Sequence, residues 1–392
     1  MSKKTKMIIF LKDKLISCDT ILPLAMEWHS YSGSKVEFFI HTKESLEDIK
    51  KNRYLYDAIS KIGSIQHYQR LDRSIVGTIK HRISILLLVS RVGVMSWLSK
   101  VNILHFGTLN NFPFNILYFL NRQNVYFCEN DSFGEPPMMA RVGGIGVNRR
   151  YIKFPNCKNF IAFSPYSEML RRNEIKNVAT FNFGPTRTRK SWLSYVNSRM
   201  KDDWASFCKK NGLDPGKKYF VVMLGFLGFP GTIKREPENL SEILLGEVLD
   251  TIFSIWPDTI VILKPHAITD LNALGRVLRK FEQNDVVISY MHPTALAINA
   301  LAVITNIYST TQADAKMLGV PTIEYTDYSE EALELSNNGS MNPDMIDYFI
   351  NRDRRRLSAV LRKHYSEKTL PRDIMFHTEE KDNSALFSKF VR

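Results

Sequence analysis

The stretch Leu301–Tyr325, LAVITNIYSTTQADAKMLGVPTIEY, decides how this chain is read. Its apolar start, Leu301 to Ile304, predicts a buried strand, and Tyr308-Ser309-Thr310-Thr311 predicts a turn. Gln312 to Leu318 predicts a helix, and Val320-Pro321-Thr322-Ile323 the next strand. A strand-loop-helix-strand unit of this kind is the repeat of a parallel α/β sheet. Three hydroxyl residues where the helix begins can offer backbone N–H groups, side-chain hydroxyls and the positive end of the helix dipole to an anion, and phosphate suits them. Ser and Thr are also ordinary N-caps where nothing binds, so the loop gains meaning only from the segments before it.

Those segments repeat the pattern. Thr259 to Leu263 predicts a strand that runs into Lys264-Pro265-His266, and Val286 to Ser289 a strand that runs into Tyr290-Met291-His292-Pro293. A lone loop histidine is usually structural. Two such loops and a hydroxyl-rich loop, each following a strand, make a candidate clamp for a phosphate and a leaving group. Tyr219 to Leu224 predicts the first strand of this half, and Gly225 opens a glycine-rich turn, GFLGFPGT, where backbone can approach a ligand closely. The spacing of Gly225, Gly228 and Gly231 is not that of the dinucleotide fingerprint, and no Walker-type sequence occurs. Nicotinamide enzymes and P-loop NTPases are therefore disfavoured. Asn239 to Ser254 and Asp270 to Phe281 complete the strand and helix alternation as helices.

The first half alternates in the same way. Met7 to Leu11, Lys35 to Ile40, Asn102 to Phe106, Asn124 to Cys128, Phe160 to Ser164 and Val178 to Phe183 predict strands, with helices at Asp19 to Trp28, Phe114 to Leu120 and Glu168 to Arg172. The fold class expected is α/β, with two parallel-sheet domains. Directly after one strand comes CENDSFGEPPMMARVGG, residues 128–144. A carboxylate mounted at a strand's end is well placed as a general base, and Glu129 and Asp131 stand ahead of Glu135; a solvated acidic turn is the competing reading. Residues 187–216, helical, basic and closed by Asp214-Pro215-Gly216, read as a linker on which Arg187, Arg189 and Lys190 form a solvated or anion-facing cluster. The domains expected are thus 1–186, 217–340, and a helical C-terminal part with a tail, 341–392; residues 327–365 read as helical.

The 392 residues suffice for two ordinary α/β domains. Lys plus Arg outnumber Asp plus Glu by 53 to 40, a formal charge of +13, which favours an anionic partner: nucleic acid, a phospholipid surface, or a nucleotide and a phosphorylated lipid. Cys18, Cys128, Cys157 and Cys208 form no C-x-x-C pair, so neither a zinc site nor a disulfide framework is indicated. The N-terminus lacks the features of a signal peptide, and a cytoplasmic protein is expected. The most apolar segment, Ile83 to Leu98, is interrupted by Arg91; it suits a buried helix, or a helix lying in a membrane interface with Trp97 at headgroup level.

The order strand-Lys264-Pro265-His266, then His292-Pro293, then strand-Ser309-Thr310 leading to Ala315 and Gly319-Val320-Pro321 resembles the C-terminal nucleotide-binding domain of GT-B glycosyltransferases. It is most similar to bacterial CMP-sugar-dependent enzymes of capsule and lipopolysaccharide biosynthesis, the sialyl-, polysialyl-, Kdo- and nonulosonic acid transferases. The resemblance implies two Rossmann-like domains facing a cleft, acceptor in the N-terminal domain and donor in the C-terminal one. It assigns Lys264, Ser309, Thr310 and Thr311 to the donor nucleotide, with either His266 or His292, the latter followed by Pro293, as the contacting histidine; the turn at Gly225 is the further candidate for the same site. Glu129 and Asp131, with Gly134, fall in the region of the acidic motif that supplies the base. Two departures stand: Ala267 follows His266 where the motif has Pro, and the acidic motif is stretched to E-N-D-S-F-G. The implied reaction is an inverting, metal-independent transfer of an acidic sugar from CMP to a surface glycan or lipid-linked glycan, with His266 near the leaving group, no cofactor, and an anionic inner leaflet as a further partner. A CDP-glycerol or CDP-ribitol phosphotransferase, and a UDP-sugar transferase or epimerase of the same fold, are the alternatives. A non-catalytic basic scaffold is disfavoured because its charges are dispersed and no nucleic-acid-binding motif occurs.

Overall fold

Nearly continuous apolar strands are the signature of sheets covered on both faces, and such strands, Lys6–Phe10 and Tyr219–Met223, lie at the centre of both sheets of this chain. A computed structural model of the chain describes residues 5–12, 15–68, 74–107, 109, 112–128, 158–163, 178–225, 239–266, 269–306, 309, 311–341, 343–366 and 383–391. The described residues fall into two compact units: one runs to Trp192 and includes the last helix, and the other begins at Leu193.

In the first unit the strands are β1 (Lys6–Phe10), β2 (Val36–Ile40), β3 (Gly63–His67), β4 (Val101–His105), β5 (Val125–Cys128), β6 (Asn159–Ala162) and β7 (Ala179–Asn182). All neighbours pair in parallel, in the order β3-β2-β1-β4-β5-β6-β7, so the strand order reverses between β1 and β4. The connecting helices are α1 (Leu15–Ser32), α2 (Lys43–Lys51), α3 (Arg53–Ile62), α4 (Ile75–Leu98) and α5 (Asn115–Leu120). Ile8, Phe10, Val101, Ile103 and Val125 on the sheet close a core against Val89 and Val92 of α4 and Leu117 of α5.

Helices α2 and α3 and strand β3 occupy a region where the sequence predicts no element. Both helices have a recognisable physical cause. Thr42 and Asn52 cap them, each side chain accepting a backbone N–H (Ser45 and Leu55), and the buried faces are Leu46 with Ile49, and Tyr54, Leu55, Ala58, Ile59 and Ile62. Strand β3 is polar because it is an edge strand with alternating exposure. Gly63 opens it where a Cβ would overlap the Val36 carbonyl.

The first residues of the stretch expected as a basic linker are interior structure. Arg187 is 1% exposed and donates from Nη1 to Asp19 Oδ2 at 3.0 Å. Arg189 Nε donates to Glu27, and Thr186 Oγ1 to the Thr20 carbonyl at 2.6 Å. Arg187 and Arg189 therefore clamp the chain to α1, while Lys190 is exposed. From Lys190 the chain continues as α6 (Lys190–Asn211), within which the boundary between the two units falls.

The second unit has β8 (Tyr219–Met223), β9 (Ile260–Lys264), β10 (Val286–Ile288), β11 (Val303–Thr305), β12 (Thr322–Thr326) and β13 (Tyr348–Asn351), parallel throughout in the order β10-β9-β8-β11-β12-β13. Its helices are α7 (Leu240–Ile255), α8 (Leu271–Leu278), α9 (Pro293–Ile298), α10 (Thr311–Met317), α11 (Glu330–Leu335) and α12 (Arg354–Ser366). One sheet face, with Phe220, Val222, Val261, Leu263, Ile304 and Ile323, packs on Leu245, Leu249 and Ile252 of α7 and Leu357 and Leu361 of α12. Residues 327–365, expected to be helical, contain β13, so this sheet runs past residue 340. The strand starts where Thr322 N–H and Oγ1 reach Asp347 Oδ2, at 2.9 and 3.0 Å, contacts between residues far apart in sequence.

The chain ends in α13 (Ser384–Val391), which returns to the first unit. Phe390 stacks on Phe183 and meets Tyr126 edge-on, and its carbonyl accepts from Asn102 Nδ2 at 2.9 Å.

Candidate functional site

In an open parallel sheet the loops diverge where strand order reverses, leaving a crevice beyond the strands' carboxyl ends. In the second unit that point lies between β8 and β11, and both loops there are pinned: Gly225 N–H donates to Asn306 Oδ1 at 3.0 Å. Register aligns Lys264, Met223, Thr305 and Glu324 as one row across β9, β8, β11 and β12. Paired residues of neighbouring strands project to one face, so Lys264 stands two strand spacings, roughly 10 Å, from Thr305. Lys264 is half-buried; Thr305 is buried, and its Oγ1 has no hydrogen-bond partner among the described residues. Glu324, fully buried, accepts from Tyr328 Oη at 2.5 Å and from Ser340 Oγ.

The hydroxyl loop folds as a capping box. Ser309 Oγ lies 2.8 Å from Thr311 Oγ1 and 3.4 Å from Thr311 N–H, while Ser309 N–H donates to Gln312 Oε1 at 3.3 Å. Gln312 Nε2 then donates to the Ile323 carbonyl at 3.1 Å, tying the start of α10 to β12. At the other end of this unit Gly319 adopts φ +69°, a left-handed conformation that favours glycine, and the chain turns into β12.

The histidines differ sharply. His292 is buried as the N-cap of α9: its Nδ1 accepts Thr294 N–H at 3.2 Å, which puts the ring proton of the neutral form on Nε2. Pro293 takes the first helical position, where a missing N–H costs nothing. Thr294 Oγ1 donates to Asp314 Oδ2 at 3.4 Å, so the helix capped by His292 and the helix capped by Ser309 lie side by side. His266 is exposed on a turn closed by its own N–H donating to Thr269 Oγ1 at 2.8 Å and its carbonyl accepting Thr269 N–H at 3.0 Å. The structure thus brings Gly225, Lys264, Ser309 and Thr311 to the carboxyl ends of three adjacent strands, with His266 two residues beyond Lys264. Glu129, Asp131, Gly134 and Thr310 lie outside the described residues. Among the described residues, no group of three or more His, Cys, Asp and Glu side chains could hold a metal ion.

Sequence reading missed Asn306, Thr305 and a second switch point. Asn306 stands inside the opening stretch, and its signal is its position directly after a central strand. In the first unit His105 ends β4 beside β1, where that sheet reverses. Burial, and secondarily the nearby Lys12 ammonium, pulls its pKa down to about 3, and Nδ1 accepts Gly107 N–H at 3.1 Å.

Two Rossmann-like α/β domains with parallel sheets define the GT-B class of fold. Solved structures of that class match the chain over its full length. A UDP-GlcNAc 2-epimerase from Neisseria meningitidis bound to UDP-GlcNAc is 12% identical, covers 99% of this chain and 94% of its own, and superposes with a TM-score of 0.57. The UDP-N-acetylglucosamine 2-epimerase from Rickettsia bellii is 14% identical over 99% and 94% of the two chains, with a TM-score of 0.55. A UGT transferase from Siraitia grosvenorii in complex with UDP is 8% identical over 99% of each chain, at 0.52. At such identities the likeness is one of fold. No protein-family model and no curated protein matches the chain.

Proposed function

We propose that this protein is a nucleotide-sugar-dependent glycosyltransferase that holds a UDP-activated donor at the switch point of its second domain. The observation that carries the reading is the convergence there of Gly225, Asn306, Lys264 and the Ser309–Thr311 cap. An ammonium and hydroxyls placed at three adjacent strand ends suit a diphosphate whose charge grows as it leaves. UDP is favoured over CMP because the structural neighbours named with a nucleotide or nucleotide-sugar ligand carry UDP or UDP-sugars.

In this reading Glu129 or Asp131 takes the proton of the acceptor hydroxyl as its oxygen bonds to the anomeric carbon. The bond from that carbon to the phosphate oxygen breaks with inversion, and UDP departs with its negative charge held by Lys264, His266 and the Ser309 to Thr311 loop. Cationic groups in that role make a metal unnecessary. The acceptor is a glycan or lipid-linked glycan, met by the first domain in the cytoplasm at the inner face of the membrane. A CMP-activated acidic sugar is the second reading, favoured by the Lys264-Pro265-His266 and His292-Pro293 loops.

Nucleotide release from UDP-GlcNAc, UDP-glucose and CMP-sialic acid, with and without acceptor glycans, tests both. UDP release that Lys264→Ala slows supports the main reading. CMP release moves the assignment to the acidic sugar. Conversion of UDP-GlcNAc to its 2-epimer would replace transfer by epimerisation, and absence of turnover with every donor would remove the proposal.

A further inference from the structure

Helix α4 is apolar on two opposite sides, and only one of them is covered. Val89 and Val92, with Ile85, Leu88 and Met95, face the sheet and close the first core. At about 100° per residue, Ile79, Ile83, Leu87, Val94, Trp97 and Leu98 fall within an arc of roughly 100° on the other side. These side chains are all exposed, Leu87 at 66% and Trp97 at 83%. Leu120 of α5 extends the patch: its Cδ1 lies 3.3 Å from where a Cβ on Gly93 would stand, and it and Phe119 are exposed too. An outward face of this kind, interrupted only by Ser90, is unusual for a protein surface.

The charges around the patch are one-sided. Ile75–Leu98 contains no Asp or Glu, while Lys80, His81, Arg82 and Arg91 are all in it. On the same helical wheel Lys80 and Arg91 border one edge of the exposed arc and Arg82 the other; Arg91 also pairs with Glu37 at 2.7 Å. Apolar side chains bordered by cations, with a Trp among them, fit the boundary between acyl chains and anionic headgroups.

We propose that α4 docks this protein in the plane of an anionic phospholipid bilayer, inserting Leu87, Trp97 and their neighbours while Lys80 and Arg82 meet lipid phosphates. Among the described residues α4 is the one helix long and apolar enough to cross a bilayer. It lies on the surface because crossing would strip Val89 and Val92 from the core of the first unit. A second copy of the chain seated on the same face would oppose cation to cation, which disfavours it. The inference does not depend on the donor nucleotide, and its test needs none.

The full chain is sedimented with vesicles of phosphatidylcholine alone and of phosphatidylcholine with phosphatidylglycerol. Wild type partitions onto the anionic vesicles, and added salt weakens it. Leu87→Glu combined with Trp97→Glu reduces binding at least about tenfold, and Lys80→Ala with Arg82→Ala lowers it about fivefold per charge on anionic vesicles only. Because all four side chains are on the surface, the melting temperature stays within a few degrees. Should the double Glu variant misfold, quenching of Trp97 by brominated lipid, compared with Trp97→Phe, reads insertion in an otherwise intact chain. No partition onto anionic vesicles, no quenching assigned to Trp97, or a dimer that Leu87→Glu splits while vesicles are ignored would overturn the proposal.

Discussion

Arg187 and Asp19 are 168 positions apart and meet in the interior. Removing one partner of such a buried pair leaves an uncompensated charge, so Arg187→Met is expected to lower the stability of the first unit by about 3 kcal/mol in chemical denaturation. No local pattern marks the pair, because a basic run on a polar segment has the composition of a solvated face whether or not a distant carboxylate receives it. His105 is likewise silent in sequence. Its folded pKa of about 3 lies far below the ordinary 6.5, so between those values the unfolded chain takes up a proton that the folded chain refuses. Stability therefore falls as pH drops from about 6.5 toward 3, and His105 adds no slope above 6.5. His105→Gln should flatten this acid limb in urea titrations at a series of pH values; an unchanged limb would mean that other groups set it.

The central strands were legible because a strand buried on both faces tends to an apolar run, as in β8 and in all but the terminal lysine of β1 and β9. Where the environment mixes, the signal fails. Strand β3 is polar at an edge, and β13 owes its start to Asp347 and Thr322 rather than to its own four residues. Helix α4 has two apolar faces, so periodicity could not separate a core helix from an interfacial one, and the structure covers one face and leaves the other exposed. The hydroxyl cap of α10 was visible in Ser309, but its second half, Gln312, was read only as helix. Gln312→Ala breaks the capping box and frees the Ile323 carbonyl. It should cost about 1 to 2 kcal/mol and weaken nucleotide binding with it, both measurable in one thermal titration. At the C-terminus, Phe390→Ala removes a fully buried ring from α13 and should cost about 3 to 5 kcal/mol by calorimetry.

At the scale of the whole chain, two Rossmann-like domains were readable, since strands and helices alternate along the sequence in both halves. Which loops become neighbours was not, because strand order is set by crossover connections rather than by local composition. The charge of +13 favours anionic partners, and the two proposed sites would each take one, a nucleotide at Lys264 and a lipid surface at α4. The central claim is that the switch point of the second domain binds the donor nucleotide. It is tested most directly by hydrogen exchange of the full chain with and without UDP, alongside UDP affinity of wild type and Lys264→Ala. The account predicts slowed exchange at the amides of Gly225, Asn306 and Thr311, and a loss of roughly 10- to 100-fold in affinity on removing the lysine, the range for a charge-assisted hydrogen bond. Unchanged exchange at those amides under saturating UDP, CMP or CDP, or equal affinity in the lysine variant, would contradict it.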